Sequence, residues 1–137
     1  NSSVYVFLVL FVIRYTFFSV EYFKKCVLIS VSGSEEAAAS IKRIESLGAK
    51  TRCRGGYAAV QELFASGERH MQSANLDTAG KSFEIVIQRT VAIQSYLTTL
   101  DFISSSYNTP LMRERYPNGP PGMSRIDNSP GAAACDN

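Results

Sequence analysis

The chain has 137 residues, enough for one compact domain with tails and too few for two full domains. Its 14 basic and 12 acidic residues leave a net charge of +2, too small an excess for a nucleic-acid-binding surface. A charged fraction of 19% beside a hydrophobic fraction of 45% suits a chain whose surface is partly covered by partners. Cys26, Cys53 and Cys135 cannot all pair with one another and lack the spacing of a zinc site, so a reducing compartment is expected rather than secretion. The first residue is Asn1, not Met, which suits a processed form or a start lying elsewhere. Asn1-Ser2-Ser3 matches a glycosylation sequon, a pattern common by chance.

Residues 1–25 form a hydrophobic segment in which the run Val4 to Val20 is broken by a single charge, Arg14. Its β-branched and aromatic residues suit buried strands near Val4 to Ile13 and Tyr15 to Phe23. A membrane-spanning helix over Val4 to Phe23, flanked by Lys24 and Lys25, is the alternative, and non-coding sequence translated in error is a third. Cys26 to Val31 has strand length and composition, and Ser32-Gly33-Ser34 reads as the turn that closes it. Ser32 or Ser34 then caps a helix to about Leu47, with Glu35 and Glu36 in its first turn and Ala37, Ile41 and Ile44 at helical spacing. Gly48 stands where a left-handed cap ends that helix.

After a break at Arg52 to Gly56, Tyr57, Val60, Leu63 and Phe64 mark a second helix, with Gly67 ending or weakening it. A longer helix, capped by Asp77 or Thr78, carries Phe83, Val86, Ile87, Thr90, Ile93, Leu97 and Leu100 on one face. The expected fold is therefore α+β: a strand-helix-strand over 26–56, an antiparallel helical hairpin over 57–104, and a Pro/Gly-rich tail over 105–137. Prolines at 110, 117, 120, 121 and 130 predict an extended tail. Tyr107, Leu111, Met112, Arg113, Arg115, Tyr116 and Arg125 are its candidate docking residues, to lie in a groove of a neighbouring subunit.

Little in the chain points to catalysis, and no catalytic or metal site is assigned. The one histidine, His70, has no cysteine or carboxylate near it at ligand or triad spacing. Gly55-Gly56 lacks the lysine and spacing of a phosphate loop. Arg52-Cys53-Arg54 is the most suggestive cluster, because flanking guanidinium groups raise the thiolate fraction of a cysteine. The plainer reading, a small residue on a strand with both arginines facing solvent or an acidic partner, is preferred.

Val27 to Val31, the helix through Arg43-Ile44, and Gly48-Ala49-Lys50 resemble the small linker module of phycobilisomes over about residues 26–55. Ala49 stands in place of that module's second glycine, and Ser32-Gly33-Ser34 in place of its Pro-Tyr. The resemblance implies a non-enzymatic linker of a light-harvesting assembly, with phycobiliproteins as partners, at the stromal surface of the plastid thylakoid. It also implies a possible covalent bilin on Cys53, although no cofactor is expected. Two other readings stand beside it: a single-span accessory subunit of a photosystem or respiratory complex, and a small redox or cofactor-carrying protein using Cys53.

Overall fold

Between Ser2 and Ser46 no proline interrupts the chain, and in the computed structural model, which describes residues 2–136, this stretch is one helix, α1 (Ser2–Ser46). It absorbs the strands expected before Phe23, the strand expected at Val27 to Val31, and the turn at Ser32-Gly33-Ser34. The chain is 87% helical with no strand among the described residues, which overturns the α+β class and the strand-helix-strand over 26–56. The physical reason is that β-branched residues lower helix propensity only by up to about 0.7 kcal/mol each. A lone strand would leave its N–H and C=O groups without ladder partners, a larger cost. Ser32 and Ser34 are thus not caps, and Glu35 and Glu36 lie exposed in mid-helix.

The helix stops at Gly48, whose backbone is left-handed at φ 78°. One turn, α2 (Ala49–Arg52), leads to a non-helical residue at Cys53 and then to α3 (Arg54–Gln72). Gly67 does not end α3. Its missing side chain makes a notch for Phe83, since a Cβ there would fall 2.7 Å from the Phe83 ring. Residues 73–75 turn the chain into α4 (Leu76–Tyr107), which starts after Asn75 and not at Asp77 or Thr78.

The long helix α4 packs along both α1 and α3. It buries Phe83, Val86, Thr90, Ile93 and Leu97 in a core shared with Ala37, Ile41 and Ile44 of α1 and Val60 of α3. The Phe64 and Phe83 rings meet at 5.6 Å between centroids. Among the described residues, the two buried polar side chains are satisfied within their own helices: Ser40 Oγ donates to the Glu36 carbonyl at 2.9 Å, and Thr90 Oγ1 to that of Ile87 at 2.8 Å.

The expected extended tail folds instead into three short helices, α5 (Pro110–Arg115), α6 (Met123–Asp127) and α7 (Pro130–Asp136). Pro110 and Pro130 open helices, because the first helical position needs no N–H donor and favours the fixed φ of proline. Ala132 and Cys135 of α7 are buried against the body. Asn1, the acceptor of the sequon, and Asn137 lie outside the described residues.

Candidate functional site

Two features set this molecule apart from a plain helical hairpin: a bare apolar half-helix and a tail clasped by a disulfide. From Ser2 to Lys25 every side chain of α1 is exposed, including Phe7 at 79%. This stretch is long and apolar enough to cross a membrane, and none of it is buried inside the protein as a core helix would be. Tyr5 and Tyr22 stand near its two ends, where membrane-interface aromatics concentrate, and Lys24 and Lys25 follow directly. Of its polar side chains, Thr16 folds back, Oγ1 donating to the carbonyls of Val12 at 2.9 Å and Ile13 at 3.0 Å. Arg14 makes no hydrogen bond or ion pair among the described residues.

At the other end of the molecule, Cys53 and Cys135 form a disulfide across a sequence separation of 82, with Cα atoms 4.6 Å apart. Both cysteines are buried. The approach depends on missing side chains on both sides of α7. A Cβ on Gly56 of α3 would fall 2.0 Å from the Ala134 carbonyl oxygen, and one on Gly131 would fall 2.5 Å from that of Ala92 in α4. Arg52, expected to activate the Cys53 thiol, forms a two-pronged pair with Asp101 of α4, at 2.9 and 3.2 Å. The sulfur that a bilin or redox role would need is therefore bonded to Cys135. Next to the clasp, the Tyr57 hydroxyl donates to Glu45 Oε1 at 2.5 Å and accepts from Gln61 Nε2 at 2.9 Å. Donation to the Glu45 carboxylate, helped by desolvation, holds the Tyr57 phenol above its usual pKa.

Three of the candidate docking residues of the tail line clefts, and the other four do not. Tyr107 and Arg113 line a cleft of about 520 Å³ with Arg52, Asp101, Pro120 and Met123. There the Tyr107 hydroxyl donates to the Tyr116 carbonyl at 2.5 Å, and Arg113 donates to the Asn108 side-chain oxygen. Leu111 (71%) and Arg115 are exposed, and Met112 and Tyr116 are half-buried. Arg125 borders a separate cleft of about 430 Å³ between α4 and α7. His70 is half-buried, and no group of three metal-ligating side chains occurs among the described residues. The disulfide went unread in the sequence because no local spacing marks a pair 82 residues apart.

No family model, curated protein or solved structure matches this chain.

Proposed function

We propose that the chain is a single-span membrane protein, anchored through Val4 to Phe23, whose disulfide-clasped helical domain works by docking other proteins. The observation that carries this reading is the bare apolar half of α1. About 20 residues at 1.5 Å each cover about 30 Å, the thickness of a bilayer's hydrocarbon core. Exposed to water, the same surface would be a large aggregation-prone patch. A peripheral antenna linker of the kind the sequence resembles rests on a strand-helix-strand, which α1 replaces, and it leaves this bare helix without a role.

The Cys53–Cys135 bond favours the oxidising side of the membrane for the helical domain, because cytosolic thiols are kept reduced. Lys24 and Lys25 favour the opposite orientation. Two lysines only bias insertion, whereas a reducing compartment opposes the disulfide itself, so the disulfide weighs more.

Washing membranes that carry the full chain with alkaline carbonate, then alkylating free thiols, tests both parts. The chain should stay in the pellet, with Cys53 and Cys135 unreactive until a reductant is added. Release into the supernatant, as a cleaved leader would give, overturns the anchor. Alkylation of Cys53 without reductant overturns the assigned side.

A further inference from the structure

Arg14 is placed where a charge is hardest to keep. Lys24 and Lys25 fix one end of the span at the membrane surface, and Arg14 lies ten residues before Lys24 along an unbroken helix. Ten residues at 1.5 Å each amount to about 15 Å, half the hydrocarbon thickness, so the Arg14 backbone lies near the bilayer midplane. Its side chain falls well short of either surface. No other described residue pairs with it, and its neighbours on the same helix face, Leu10, Phe11, Phe17 and Phe18, are apolar.

An intramembrane charge of this kind is stabilised by a partner at the same depth. A second copy of the chain cannot supply it, because two spans crossing side by side bring Arg14 against Arg14 in either relative direction. Lipid phosphates lie at the surfaces and not at the midplane. The occupant that fits is complementary in charge and otherwise apolar.

We propose that Arg14 docks this chain onto the transmembrane helix of a different protein through an aspartate or glutamate at that helix's centre. This rests on the single-span reading. A carboxylate accepts the guanidinium's paired N–H donors, and the phenylalanines on either side of Arg14 pack against the partner's apolar residues. The pairing gives the anchor a choice of partner that a uniformly apolar helix lacks.

The test captures the full chain, in phosphatidylcholine nanodiscs, on biotinylated leucine-alanine transmembrane peptides carrying a central Asp or a central Leu. The Asp peptide should retain about tenfold more chain than the Leu peptide. Arg14→Leu should abolish that preference, and Arg14→Lys should keep part of it. Equal retention on both peptides overturns the pairing, as does a preference that survives Arg14→Leu. A chain that carbonate releases from membranes removes the span and the pairing together. A chain that stays in the membrane but shows no Asp preference overturns the pairing alone.

Discussion

From Val4 to Phe23 every side chain of α1 is exposed, whereas from Ala37 to Ile44 the same helix buries Ala37, Ser40, Ile41 and Ile44 against the rest of the domain. Composition separates the two halves. The first is apolar on nearly every side. The second carries its apolar residues at positions i, i+4 and i+7, with Lys42, Arg43 and Glu45 facing outward. A helix that is apolar all round suits lipid, and one with a single apolar stripe suits a protein core. A continuous backbone can thus serve two solvents, and the folding energy of the domain should come from only one half of α1.

The largest effect expected within the domain comes from its clasp. Removing the disulfide with Cys53→Ser and Cys135→Ser frees a loop spanning 82 residues in sequence, which should cost about 4 kcal/mol by chain-entropy reasoning. Denaturant unfolding of the full chain in mild detergent reads this directly, and an unchanged midpoint would show that the clasp adds nothing to the packing of α7. Substituting isoleucines on the two halves of α1 sharpens the comparison further. Ile44 is 0% exposed and Ile13 57%, so Ile44→Ala should cost about 3 kcal/mol and Ile13→Ala less than about 0.5 kcal/mol in the same measurement. Equal losses would mean that the first half of α1 packs on the domain after all.

A smaller loss than those of the clasp and Ile44 concerns the hydrogen bond from Tyr57 to Glu45, which ties α3 to the end of α1. Tyr57→Phe should cost about 1 kcal/mol near neutral pH. Because folding raises the Tyr57 pKa above its ordinary value of 10.0, the folded state holds that proton more tightly than the unfolded one. The contribution is therefore complete below pH 10 and is lost as the pH rises from there through the folded-state value. Unfolding midpoints of the parent and Tyr57→Phe proteins should converge as the pH climbs beyond 10, while midpoints that stay parallel would show that the phenol proton is not the group involved.

Helical spacing alone marks Phe83, Val86, Ile87, Thr90, Ile93, Leu97 and Leu100 as one face of a helix, and all are buried except Ile87 and Leu100, which are half-buried. Gly48 could be read as a left-handed stop because few other residues take that conformation, and its φ of 78° agrees. The length and apolarity of Val4 to Phe23, and the position of Arg14 ten residues before Lys24, are likewise properties of the sequence by itself. Tertiary structure decided the rest, because the remaining choices depend on residues far apart. Whether Val27 to Val31 becomes strand or helix turns on the presence of a pairing strand, and none exists among the described residues. Whether Gly67 breaks a helix or seats a ring turns on Phe83, and whether the proline-rich tail stays extended turns on Gly56 of α3 and Gly131 of α7 allowing close approach and on Cys53 holding Cys135. Local propensities of a few tenths of a kcal/mol per residue yield to such contacts, each worth several times more.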